Sequence, residues 1–307
     1  LRSRYGENNG GLTPGIERMR KWLAKLRIRK GLRAYRKGLY FTAFIIPLLA
    51  GLIYIFVIRP ISIKMEFDQG WNECRKGNYT DAISSYQRFI IRHPYSPLVK
   101  KALFEVGNIY YLYLGDPIQA VSSLNKLLQR NPAPVDEFRA RMLIAHIYKD
   151  EYGDYQRAIE QYSRLLASFS ELDQGGEACF HLAECYYQLN EIPRAIEHYQ
   201  EVIKKNDNQQ WAEQAYLRLG SCLRLRGDLE EAIQAYRNLL SKNVSKQTEY
   251  IARINLAECL EEKRDYQGAL QVLQGVSAEL GDMEAITRKI ERLQSSIESL
   301  SLDPSRR

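Results

Sequence analysis

Residues 177–190, EACFHLAECYYQLN, place Cys179, His181 and Cys185 within seven positions, and His198 follows. Two thiolates and two imidazoles are a sufficient donor set for tetrahedral zinc. The spacing argues against one ion taking them all. On a helix, residues two apart point about 200° away from each other, so Cys179 and His181 diverge. His181 and Cys185 share a face at i, i+4, which is half a site, and His198 falls in the following segment. We therefore expect no metal and no cofactor. Nothing else in the chain assembles a nucleophile with a base. There are four His in all, no HExxH and no Gly-rich phosphate loop after a strand. Glu230, Glu231 and Lys204 read as solvated helix faces. An enzyme is not expected.

The elements that carry these residues recur. Five hexapeptides, ALFEVG (102), ARMLIA (140), ACFHLA (178), AYLRLG (215) and ARINLA (252), share a leading Ala, apolar third and fifth positions, and a final Gly or Ala. Each precedes a second pattern: GDPIQAVSSL, GDYQRAIEQY, NEIPRAIEHY, GDLEEAIQAY and RDYQGALQVL, with an earlier copy, GNYTDAISSY, at 77. The shared alanines are Ala82, Ala120, Ala158, Ala195, Ala232 and Ala269, spaced 38, 38, 37, 37 and 37 apart. A hairpin this short cannot bury its apolar face alone, so stacking must make the core. Small residues at Gly70, Gly107, Ala145, Ala183, Gly220 and Ala257 are expected to let helix A approach helix B. Bulky Tyr86, Leu124, Tyr162, Tyr199, Tyr236 and Leu273 are expected to fill the gap beside the next repeat.

This framework, clearest in Gly70, Gly77, Ala82, Tyr86 and Pro94 and in Tyr216, Leu219, Gly220, Gly227, Ala232 and Tyr236, resembles the tetratricopeptide repeat. The resemblance covers about residues 62–278. Each unit exceeds the family's length of about 34 residues by three at the junction, and repeats 2 and 3 carry one more in helix A. The longer unit and the HPYSP junction are similar to bacterial envelope members, such as the outer-membrane-assembly lipoprotein and the cell-division coordinator. The expected fold is all-α: six helical hairpins and a capping helix after one membrane helix. The capping helix is read from Ile286, Ile290, Leu293, Ile297 and Leu300, whose rival reading is a short coiled coil with a second copy. The resemblance also implies a concave face lined by helix A, with Trp71, Asn108, Tyr111, His146, Glu184, Tyr187, Ser221 and Glu258 as candidate partner-binding residues. The carboxylate grip of cytosolic co-chaperones is not carried over, because Met142 and His146 stand where basic residues are needed.

Residues 1–38 hold twelve Lys and Arg against two Glu, residues 39–58 carry no charge, and the total is +7. A basic tail therefore joins a net acidic body. Twenty uncharged, mostly apolar residues span about 30 Å, the thickness of a bilayer core. Pro47 and Gly51 are tolerable there, and Tyr40 and Tyr54 suit the interfaces. A soluble helix of this length normally has a polar face. No small-x-small cleavage pattern follows, and Cys74 lies too far on for lipid attachment, so an uncleaved anchor is expected. The basic upstream flank places the N-terminus in the cytoplasm and the body in the periplasm of a bacterial inner membrane. Ile16, Met19, Leu23 and Leu26 make the tail amphipathic. Arg20, Lys21, Lys25, Arg27, Arg29 and Lys30 are its expected contacts to anionic lipid. Nucleic acid is the less favoured partner, because the tail adjoins a membrane. The domains are thus 1–38 tail, 39–58 span, 59–278 solenoid and 279–307 cap and terminus.

Cys185, Cys222 and Cys259 occupy one slot of successive repeats, where Ile109 and Ile147 stand elsewhere. A slot that accepts Ile or Cys is an apolar packing position. Equivalent positions lie on the order of 10 Å or more apart, too far for a disulfide, so free buried thiols are expected. The functional expectation is a membrane-anchored scaffold or adaptor in an envelope complex. The alternative is a chaperone-like assembly factor for exported or membrane proteins. A cytoplasmic solenoid, as in organelle-surface receptors, is a third arrangement.

Overall fold

The computed structural model describes residues 15, 18–22, 25, 45–169, 175–205, 209–280 and 284–302, and their regular structure is entirely helical. The helices are α1 Ile45–Arg75, α2 Tyr79–Arg92, α3 Leu98–Leu112, α4 Pro117–Leu128, α5 Pro134–His146, α6 Tyr155–Ser168, α7 Gly175–Gln188, α8 Ile192–Lys205, α9 Gln209–Arg226, α10 Leu229–Leu240, α11 Lys246–Glu262, α12 Tyr266–Leu280 and α13 Glu284–Leu302. They pack as hairpins, α1 with α2 through to α11 with α12, and α13 packs on α12. Helix A of each repeat is odd-numbered and helix B even-numbered.

The turn inside each hairpin explains the recurrent Gly-Asp. Gly77, Gly115, Gly153, Asn190, Gly227 and Arg264 occupy the same position and all have positive φ, from 60° to 93°. This left-handed residue ends helix A. The residue after it begins helix B: Asp116 accepts from the Gln119 N–H, Asp154 from Arg157 and Asp265 from Gly268, each satisfying an orphan donor. Arg264 is exposed and holds φ at 68° with a Cβ. Arg264→Gly should therefore stabilise the chain by about 1 kcal/mol, read as a higher denaturant midpoint at unchanged slope.

The extra residue of repeats 2 and 3 is absorbed at the C-terminus of helix A. In repeats 1, 4, 5 and 6 the closing backbone bond spans five residues, as in Asn78→Glu73 and Asp228→Leu223. In repeats 2 and 3 it spans six, Asp116→Tyr110 and Asp154→Tyr148. In repeat 3 the added residue widens Ile147–Glu151 into π-helical winding. A π turn is a common way for one insertion to enter a helix without shifting the packing face.

Helices A and B approach as the small residues require. A Cβ at Gly70 would lie 2.7 Å from the Tyr86 ring, one at Gly107 would lie 2.9 Å from Leu124, and one at Gly220 would overlap the Tyr236 ring. Ala145, Ala183 and Ala257 have no exposed surface, and nor do Tyr162 and Tyr199. The core runs the length of the stack between the A and B layers. Three groups of buried side chains share Tyr148, Leu166 and Tyr186 at their margins. Helix α13 closes the end with Ile286 and Leu293 buried, and Lys289 and Arg292 pair with Glu258 and Glu261 of α11.

The N-terminal half of α1 is apolar. Its most apolar stretch has a mean hydropathy of 2.1 and none of it is buried; by length and composition it can cross a membrane. Residues 39–44 of the expected span lie outside the described residues, as do Arg27, Arg29 and Lys30 of the tail. Arg20, Lys21 and Lys25 are helical and exposed. The expected boundary at residues 58 and 59 is not a break in the chain's course. The helix continues through π-wound Tyr54–Ile58 and past Pro60 into repeat 1. There Phe67 packs against Tyr86 and Phe89, with ring centroids 5.4 and 5.7 Å away.

Candidate protein-interaction surface

Successive A helices touch: α1 with α3, α3 with α5, α7 with α9 and α9 with α11. B helices make no comparable contacts with one another among the described residues, so the A side is the tighter, inner side of the stack. Most of the candidate residues stand one position after the small residue of helix A: Trp71, Asn108, His146, Glu184, Ser221 and Glu258. Tyr111 and Tyr187 stand four after it. Lys149, Arg224 and Glu261 share that second register.

The two registers meet between neighbouring repeats. Lys149 of α5's π-wound extension lies 3.5 Å from Glu184 of α7, and Arg218 of α9 reaches the other Glu184 oxygen at 3.4 Å. Arg224 of α9 lies 3.2 Å from Glu258 of α11, and Lys289 of α13 takes the same carboxylate at 3.1 Å. Burial alone would raise the Glu184 carboxyl. The hydrogen bond with His181 and the charges of Lys149 and Arg218 outweigh it and hold the group below its ordinary value. Glu184 and Glu258 are thus engaged between repeats, as links of an ionic ladder along the inner face. The His146 ring is 4.8 Å from the His181 ring. Burial, then His181 and Lys149, push His146 down to about 4, so it is neutral near pH 7, and its Nε2 is buried with no partner among the described residues.

The other candidates differ in availability. Trp71 is 49% exposed. Asn108 is half-buried and hydrogen-bonds Glu105. Tyr111 and Tyr187 are half-buried against the core. Ser221 donates to the Leu217 carbonyl at 3.0 Å and sits 3.1 Å from the Tyr236 hydroxyl. Beside it, Gln214, Leu217, Arg218, Ser221, Ile251 and Asn255 line a groove between α9 and α11. Lys149, Arg218 and Arg224 were not among the candidates, although the four-residue register holding Tyr111 and Tyr187 also holds Lys149 and Arg224.

The five cysteines are free, four of them buried and Cys74 half-buried. Burial pushes the Cys185 thiol up to about 12 and those of Cys222 and Cys259 up to about 11. Brief alkylation of the folded chain near pH 8, followed by peptide mass spectrometry, should label Cys74 well before these three. Cys179 is the fourth buried thiol. Across the hairpin, on the opposing helix B, its Sγ lies 3.9 Å from His198 Nδ1 and 3.5 Å from Glu201 Oε2. His181 points elsewhere, with Nδ1 3.2 Å from Glu184.

Family models of the tetratricopeptide repeat match residues 67–112 and 151–211, and another matches 214–243. Among solved structures the chain is similar to BtubC (BKLC) from P. vanneervenii, with a TM-score of 0.52, 19% identity, and coverage of 72% of this chain and 90% of that one. It is similar to the apo form of RapI at 0.52 and 17%, covering 77% and 76%. It is also similar to PilW, a type IV pilus biogenesis factor, at 0.50 and 13%, covering 75% and 98%. Identities this low establish likeness of fold alone. No curated protein sequence matches the chain.

Proposed function

We propose, from the premise that this chain is built of tetratricopeptide repeats, that it is a membrane-anchored scaffold in a bacterial envelope complex. Tetratricopeptide repeats mediate protein–protein interactions. One observation carries the finer reading: the exposed apolar stretch and helix A of repeat 1 are a single helix. A helix without a linker transmits its orientation to the solenoid, which suits a scaffold holding partners at fixed height above a bilayer. The basic flank before the apolar stretch favours a cytoplasmic N-terminus and a periplasmic solenoid. Anionic lipid is the fitting partner of the tail.

On this reading the partner contacts the inner face where it is least engaged internally, at Trp71, Tyr111 and Tyr187 and along the groove between α9 and α11. Protease added to spheroplasts should digest the C-terminal body without lysis; a protected body defeats the periplasmic arrangement. Cross-linking in intact membranes should then recover a fixed partner set through α9 and α11. A heterogeneous set of unrelated exported clients points instead to an assembly chaperone.

A further inference from the structure

We propose that Cys179, His198 and Glu201 form a zinc site that pins helix A of repeat 4 to its helix B. Helix α7 supplies the thiol. Helix α8 supplies the imidazole and carboxylate one turn apart, on one face. The separations are 3.9 Å from Sγ to His198 Nδ1, 3.5 Å from Sγ to Glu201 Oε2 and 3.5 Å from Nδ1 to Oε2. Zinc bonds about 2.3 Å to sulfur, 2.0–2.1 Å to nitrogen and 2.0–2.2 Å to oxygen place tetrahedral ligands about 3.4–3.6 Å apart. The three donors already outline one face of that tetrahedron. Cys179 is buried, while His198 and Glu201 keep 26% and 43% of their side-chain surface, so water reaches the fourth position.

The surroundings hold the donors in place. Glu201 turns its other oxygen, Oε1, to Lys205 Nζ at 2.9 Å, leaving Oε2 for the metal. The His198 ring stacks on Tyr186 at 5.4 Å and 6°. Such outer contacts orient metal ligands. A thiolate with an imidazole selects zinc over magnesium or calcium.

The repeat framework does not demand these residues. Where repeat 4 has Cys179, His198 and Glu201, repeat 3 has Arg141, Gln161 and Arg164, and repeat 5 has Tyr216, Ala235 and Asn238. In repeat 3 the same place joins A to B differently, through Arg141 to Gln161 at 3.3 Å. The cluster of His146, Glu177 and His181 is the weaker candidate, because the Lys149 ammonium lies 3.4 Å from a ring nitrogen, His181 Nδ1, whereas Lys205 meets the Glu201 oxygen turned away from the ion.

Cobalt(II) titration of the full chain in detergent, under a non-thiol reductant, tests the site. The expected result is one equivalent bound, with a thiolate-to-cobalt charge-transfer band in the near ultraviolet and intense four-coordinate visible bands, both removed by zinc. His198→Gln and Glu201→Gln change partly exposed side chains, so folding is checked by circular dichroism. Each should weaken binding at least about tenfold, and Cys179→Ser should abolish the charge-transfer band. Cys185→Ser and His181→Gln should leave it unchanged. No band in the folded chain, undiminished affinity in either α8 variant, or a band that follows Cys185 or His181 overturns the site.

Discussion

Tyr199→Ala is expected to destabilise the solenoid by about 3–5 kcal/mol, the range for removing a large buried aromatic side chain. Tyr199 has no exposed surface, and its ring lies 5.6 Å from that of Phe180 on helix A. It belongs to the buried group that runs from repeat 4 through α13. Its hydroxyl is buried without a partner among the described residues, so the ring rather than the oxygen holds the repeats together. Tyr199→Phe should accordingly be near neutral, whereas Tyr236→Phe should cost about 1 kcal/mol, because the Tyr236 hydroxyl meets Ser221. In a solenoid each repeat contacts only its neighbours, so loss at one interface uncouples the two sides. Hydrogen exchange should show α7–α9 losing protection in Tyr199→Ala while α2–α4 keep theirs. A uniform loss, or a cost like that of Tyr199→Phe, contradicts the assigned role of the ring.

The hairpins were legible because their signals are local. The six alanines, the small residue of helix A and the Gly-Asp turn each act within one repeat, so six copies in register reveal one unit. The ionic ladder was not legible. Lys149 meets Glu184, and Arg224 meets Glu258, across a stagger that is fixed only when one repeat settles on the next. The same limit hid the neighbourhood of Cys179. Helical angles correctly separate Cys179 from His181 on one helix, but they say nothing about a residue on the opposing helix. His198 arrives there because Ala183 and Ala195, both without exposed surface, let α7 and α8 close together. The candidate residues Glu184 and Glu258 illustrate the converse. Register alone placed them on the inner face, and only the packing shows that their charges are engaged between repeats.

Gly220→Ala is the sharper probe of that close approach. A methyl group at Gly220 would overlap the Tyr236 ring. That ring has no exposed surface, and its hydroxyl is tied to Ser221 Oγ at 3.1 Å and to the Leu217 carbonyl at 3.5 Å. The ring cannot slide away without breaking these bonds, and overpacking of this kind costs about 1–3 kcal/mol. Repeats 3 and 4 show the alternative: Ala145 and Ala183 face tyrosines whose hydroxyls have no partner among the described residues. In repeat 1 Gly70 also meets its tyrosine, yet the Tyr86 hydroxyl has no partner among the described residues; at 220 the glycine admits the ring and Ser221 receives its hydroxyl, and the two features should be energetically coupled. In a double-mutant cycle measured by denaturant unfolding, Gly220→Ala should cost less in the Tyr236→Phe background than in the native one. The coupling should fall within about 0.5–3 kcal/mol, as for residues in contact. Additive costs would mean that the methyl is accommodated by a shift of the helices instead, leaving the hydroxyl contact intact.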